Sequence, residues 1–182
     1  MRAGSLLVYP SDTGYALGWA LAQKNTEERV RMLRSLDEKH PFTLMCRDLR
    51  QVALYARMDD AAFRMMKQRT PGAYTFILPA ARELPRRLTD SKRRSIGVHI
   101  ADHRVVSAMI DALDEPFLST TLAIPDLDLE GLDPEDLHDA LGKRVDILLD
   151  AGSMPSAAST VVDLTGAAAK VLRSGLGRVD FS

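Results

Sequence analysis

The sequence holds a single cysteine, Cys46, in 182 residues. No disulfide can form within the chain, and a reducing, cytoplasmic compartment is expected. Cys46 falls in the apolar run 42–46 and reads as a small buried hydrophobe rather than a reactive thiol. No apolar run approaches the roughly 20 residues that span a bilayer, so no membrane partner is expected. Residues 1–5 lead straight into a strand-like segment, so no signal peptide is expected. Aromatic residues make up 5% with one Trp, few platforms for stacking unpaired bases. There is no Gly-x4-Gly-Lys-Ser/Thr loop, and Gly175-Leu176-Gly177 is too little for a dinucleotide fingerprint. The histidines His40, His99, His103 and His138 show no metal-ligand spacing, so no tightly bound metal is expected. Ser119, His99 and Asp163 make a nucleophile system only on paper, because no nucleophile elbow surrounds the serine.

What is present is ordinary for one soluble domain spanning residues 1–182, with 46% hydrophobic and 27% charged residues. The net charge of −1 is uninformative, but its distribution is uneven. Arg82, Arg86, Arg87, Lys92, Arg93, Arg94 and Arg104 face only Glu83, Asp90 and Asp102. The sign then reverses at Asp126, Asp128, Glu130, Asp133, Glu135 and Asp136. Either one face is cationic, or these are solvated faces of mixed sign.

Short β-branched or aromatic runs predict strands over 6–9, 15–20, 42–46, 74–78, 96–100, 117–121, 145–149, 160–164 and 169–172. A helix is expected over 26–36, with Asn25 as cap and Glu28 completing a capping box. A second should start at Asp59 and stop before Pro71-Gly72, a third should run from an Asp102 cap to 113, and a short one should begin at Pro134 after an acidic loop over 124–133. The links between the first two and the last two strands are too short for parallel crossovers, so the sheet must be mixed. The fold class is α/β.

Hydroxyl-rich clusters sit at strand ends: Ser11-Asp12-Thr13 after one, Ser119-Thr120-Thr121 closing another, Ser159-Thr160 opening a third, Arg173-Ser174 after the last. Hydroxyls, free backbone N–H groups and an arginine are what a phosphate cradle needs. The same residues also serve as ordinary turns and caps.

Taken in order, Tyr9-Pro10-Ser11-Asp12-Thr13-Gly14-Tyr15, Thr70-Pro71-Gly72-Ala73-Tyr74-Thr75, Phe117-Leu118-Ser119-Thr120-Thr121, Ser159-Thr160-Val161-Val162-Asp163 and Leu172-Arg173-Ser174-Gly175 resemble the motifs of the YrdC/Sua5 family over nearly the whole chain. The segment 36–49 is similar to the YciO branch. The resemblance implies a single-domain, twisted open mixed sheet with helices packed on it and a concave cationic cleft. It further implies binding of an adenine nucleotide, of double-stranded RNA or tRNA, or of both, with Mg²⁺ arriving on ATP. Nucleotide contacts carried over are Thr13, Arg34, Ser119, Thr121, Ser159 and Arg173; a cationic rim for RNA would be Arg86, Arg87, Arg93 and Arg94. No residue is assigned a catalytic role. The family's enzymes make L-threonylcarbamoyladenylate for tRNA modification, and an active synthase is the alternative. Against it, charged or amide residues of the family fall here at Leu36, Met45, His99 and Ala123, and its Pro at Ala101, so efficient synthesis is not expected. Only Arg2-Ala3-Gly4 stands where the family places an N-terminal helix, which is expected to be lacking.

Overall fold

The computed structural model describes residues 1–180 apart from 83, 91, 126, 130, 155 and 156. Of the charged positions read above, Glu83, Asp126 and Glu130 therefore lie outside the described residues. In chain order the strands are β1 (Leu7–Ser11), β2 (Gly14–Ala20), β3 (Thr43–Met45), β4 (Tyr74–Pro79), β5 (Ser95–His99), β6 (Phe117–Thr121), β7 (Ile147–Leu148), β8 (Thr160–Asp163) and β9 (Lys170–Arg173). The helices are α1 (Lys24–Leu33), α2 (Leu49–Tyr55), α3 (Asp60–Arg69), α4 (Arg104–Leu113) and α5 (Pro134–Leu141).

Among the described residues nine strands form one sheet, in the order β7-β1-β2-β6-β3-β5-β4-β8-β9. The short links do force antiparallel returns, β1 with β2 and β8 with β9. Longer excursions allow the parallel pairs β3 with β5, β4 with β8 and β1 with β7. The expected mixed sheet is what forms.

Helix ends depart from the sequence reading wherever a distant partner competes. Asn25 does not cap α1. The helix starts after Gln23 with no side-chain cap, and Gln23 and Thr26 instead bond the Arg2 and Gly4 carbonyls at 2.6 and 2.7 Å. Asp102 does not cap α4 either; His103 Nδ1 accepts from the Val105 N–H at 3.3 Å. Asp59 does cap α3, accepting from the Ala62 N–H, and Asp133 caps α5 with Pro134 in the first turn. Helix α2 was not foreseen: seven residues give too few turns for a periodic signal, although Asp48 caps it through the Gln51 N–H.

Side chains alternate across a strand, so each strand here has an oil-facing set and a second set. Leu6, Val8, Leu17, Trp19, Leu44, Phe76, Leu78, Ile96, Val98, Leu118 and Val162 point to the face covered by α1, α2 and α3. Cys46 belongs to this core, and burial raises its pKa, as befits an inert thiol. On the other face α4 buries Val106, Ile110 and Leu113 over Tyr9, Met45 and Phe117. Gly18 makes that packing possible, since a Cβ there would stand 2.8 Å from the Tyr9 ring. Helix α4 covers only part of this face, and the uncovered part is the site.

Candidate functional site

The open part of the sheet is a cleft of about 620 Å³. Its floor is the alternate set of strand residues, Thr75 and Ile77 on β4, Ser95 and Gly97 on β5, Ser119 on β6 and Val161 on β8. These positions are flanked in sequence by core residues, so the same period that buries Phe76, Val98 and Leu118 raises a hydroxyl-rich surface on the reverse. All six nucleotide contacts expected from sequence, Thr13, Arg34, Ser119, Thr121, Ser159 and Arg173, line this one cleft.

At one end a chain of polar contacts fixes the arginine of β9. Thr75 and Ser159 hydroxyls lie 2.8 Å apart, and Arg173 donates to the Ser159 carbonyl at 3.0 Å and its hydroxyl at 3.2 Å. The neighbouring Thr160 points the other way. Its hydroxyl donates to the Gly177 carbonyl at 2.6 Å and accepts from the Gly175 N–H at 2.9 Å. Gly175 is required here by close approach, because a Cβ would meet the Ala158 carbonyl oxygen at 2.2 Å.

At the other end Arg34 leaves the C-terminus of α1 and donates to the Ala123 carbonyl at 3.0 Å and to the Thr120 hydroxyl. Partial burial lowers its pKa. The loop behind it is braced by Arg31, which donates to the carbonyls of Asp37 and His40 at 2.8 and 3.0 Å and lies 4.4 Å from the Phe42 ring centroid. His40, which lines the cleft, is held below its ordinary pKa by burial and by the nearby charges of Arg34 and Arg31, against Asp37.

Beneath the cleft are two buried pairs that the sequence did not single out. Tyr9 Oη lies 2.5 Å from Ser119 Oγ. Burial outweighs that bond and raises the phenol's pKa. His99 Nε2 lies 3.1 and 3.2 Å from the two Asp12 oxygens, and the Asp102 N–H donates to Asp12 at 3.1 Å. Burial alone would raise the pKa of Asp12, but the His99 bond, its electrostatic attraction and the Asp102 N–H together leave it lowered. The paper triad does not assemble: His99 is bound to Asp12, Ser119 to Tyr9, and Asp163 to Thr165 and Arg93. The one sequence signal for the His99 pair was Asp12 itself, inside Ser11-Asp12-Thr13; its partner lies 87 residues away.

The cationic segment 82–104 is dispersed by the fold. Arg93 lines the cleft and pairs with Asp163 at 3.0 Å. Arg87 instead braces α1, bonding the buried Glu27 at 2.8 Å and the Leu21 carbonyl. Arg94 donates to the Arg82 carbonyl at 2.6 Å, and neither it nor the exposed Arg86 lines the cleft. Of Arg86, Arg87, Arg93 and Arg94, Arg93 alone lines the cleft, because the 3-10 turn over Arg86–Leu88 and the loop into β5 aim successive arginines at different neighbours.

An acid-stability prediction follows from the carboxylates. Asp12, Asp146 and Asp163 all have lowered folded pKa values: Asp146 through the bond from Arg29, Asp163 through bonds to Thr165 and Arg93 that outweigh its burial. Groups depressed on folding contribute stability that is whole above the unfolded value of about 3.9 and is lost as pH falls through the folded values. Urea midpoints are expected to decline modestly as pH falls through about 6.5, where His40 takes its proton more readily unfolded than folded, and to drop further below about 4 as the carboxylates are protonated. Asp12→Asn should show a shallower drop; a drop identical to wild type would deny Asp12 this role.

A family model described as telomere recombination, Sua5_yciO_yrdC, matches residues 1–175. YciO of Escherichia coli (strain K12) is 44% identical over 179 residues, covering 98% of this chain and 87% of the relative. Its crystal structure superimposes with a TM-score of 0.90 over 98% of this chain and 87% of that one. The threonylcarbamoyl-AMP synthase of Pyrococcus abyssi is 25% identical over 96% of this chain but only 52% of its own length. A crystal structure of P. abyssi Sua5 complexed with L-threonine shares the fold, with a TM-score of 0.80 at 22% identity over 96% of this chain and 51% of that one.

Proposed function

The chain belongs to the Sua5/YciO/YrdC family and is YciO-like, and on that premise we propose that its cleft binds the phosphates of an adenine nucleotide. The observation that carries this reading is the lining: among the described residues Arg34, Lys92, Arg173 and Arg93, the last paired with Asp163, stand with one lining carboxylate, Asp90, among the hydroxyls of Thr13, Ser119, Thr121 and Ser159. Charged donors provide the strong phosphate bonds, and hydroxyls complete the oxygen shell without bulk. Mg²⁺ brought in on a triphosphate keeps waters and phosphate oxygens and needs one or two carboxylates. Asp90 fits that need: one of its oxygens accepts the N–H groups of Lys92 and Arg93 at 2.9 and 2.8 Å, and the other accepts no hydrogen bond among the described residues. For duplex RNA or tRNA the cleft offers Lys92 and Arg93 as backbone contacts, and recognition would follow charge and shape.

A second reading, synthesis of threonylcarbamoyl-AMP, is favoured by the relatives that bear that name. It is weakened by His99, which is tied to Asp12, and by Met45, which packs beneath α4. One calorimetric titration with ATP and AMP, with and without Mg²⁺, combined with a pyrophosphate assay in threonine and bicarbonate, separates them. Nucleotide binding with pyrophosphate at background is the expected result. Threonine-dependent release would establish the synthase, and no binding of either nucleotide at millimolar concentration would overturn the nucleotide reading.

A further inference from the structure

Strands β3 and β5 are parallel neighbours, yet the chain leaving them goes to opposite faces of the sheet. From β3 it enters α2, whose Val52 joins the core with Ala62 and Met66 of α3. From β5 it enters α4, which packs on Tyr9, Met45 and Phe117. Where neighbouring parallel strands diverge in this way, a crevice opens outside their carboxyl ends, and open α/β sheets bind ligands there. The third wall is the entry to β4 at Thr70 and Pro71, fixed by the Gly72 N–H bonding the Ile100 carbonyl at 2.9 Å. Arg47 ties the β3 exit to α4 through Asp111 and Asp114 at 3.0 and 3.8 Å.

The crevice measures about 800 Å³ and shares no lining residue with the cleft. Leu49, Met58, Phe63, Pro71 and Ile100 give it an apolar wall, in which Phe63 is 42% exposed, a contiguous patch rather than one scattered side chain. Around this wall stand Arg50, Lys67 and Arg104, none of which has a counter-ion among the described residues. The carboxylates nearby are Asp48 and Asp102, and Asp48 is already used as the α2 cap.

We propose that this crevice is a second binding site, separate from the nucleotide cleft, and that it takes a small organic phosphate with a flat apolar body. Arg50, Lys67 and Arg104, which form no direct ion pair among the described residues, supply charged donors for several oxygens, which suits a phosphate better than a single carboxylate. Phe63 and Met58 supply the surface for the body, where an aromatic face gains by stacking and by burial together. A bare anion would use the cations and leave the apolar wall wet.

The test is an amide-resolved NMR titration of the whole chain with phenyl phosphate, inorganic phosphate and phenol, run beside the nucleotide titration. Phenyl phosphate should shift Leu49, Arg50, Ile100 and Arg104 saturably, with a dissociation constant independent of any shift at Ser119 and Ser159 in the cleft. Phe63→Ser and Lys67→Glu, both at exposed positions, should each weaken it roughly fivefold or more, whereas Arg173→Ala should not. Absence of saturation, shifts confined to the cleft, or inorganic phosphate binding as tightly as phenyl phosphate would each overturn the proposal. Shifts confined to the cleft would favour the nucleotide reading while overturning this one; the other outcomes leave that reading untouched, since it rests on other residues.

Discussion

Replacing Arg173 with alanine is expected to weaken ATP binding by roughly 10- to 100-fold. A hydrogen bond from a charged donor contributes about 1.5–3 kcal/mol, and about 1.4 kcal/mol is tenfold in affinity. The guanidinium is held at the cleft wall by the Ser159 carbonyl and hydroxyl, so it needs little reordering to meet a phosphate. Two of its three donor nitrogens, Nε and Nη2, already work in parallel on Ser159, a fork geometry that lysine cannot copy. Arg173→Lys should therefore fall between alanine and wild type. Because Arg173 is exposed on an edge strand, stability should change little, within about 1 kcal/mol. Calorimetry with Mg-ATP on the three proteins decides the matter; equal dissociation constants would remove Arg173 from the site.

The largest loss of stability is expected from Asp12→Ala. The carboxylate is the acceptor for His99 Nε2 and for the Asp102 N–H, and both Asp12 and His99 side chains are under 10% exposed, at 9% and 6%. Alanine leaves buried His99 without its acceptor, costing about 1–3 kcal/mol, while the Asp102 N–H, at an exposed position, costs less because water can reach it. The sum, roughly 1–4 kcal/mol, lowers the melting temperature by several degrees, up to the order of 10 °C, for a chain of this size. Asp12→Asn retains one acceptor oxygen and should lose less. The Asp102 bond also anchors the turn between β5 and α4, so amide exchange there should quicken along with the melting shift. Unchanged melting of Asp12→Ala would mean that water replaces the carboxylate without cost.

The sequence by itself determined the strands, the mixed sheet and the hydroxyl-bearing strand ends. These are properties of local pattern: alternation of apolar and polar side chains along Tyr74–Pro79 or Phe117–Thr121 has one stable solution, with Phe76 and Leu118 inward and Thr75 and Ser119 on the reverse. Links as short as Asp12-Thr13 permit one return. What only the tertiary structure decided depended on partners far away in the chain. Asn25 and Asp102 have the right chemistry for caps, but bonds to residues 2, 4 and 12 competed and won. Arg86, Arg87, Arg93 and Arg94 are close in sequence and alike in charge, yet Glu27 captured one and Asp163 another. A charge reaches whatever lies within a few ångströms of it in space, and that distance is set by the folded sheet. The pairing of Asp12 with His99 and the crevice beyond β3 and β5 have the same origin: strand order places side by side segments that no local pattern connects.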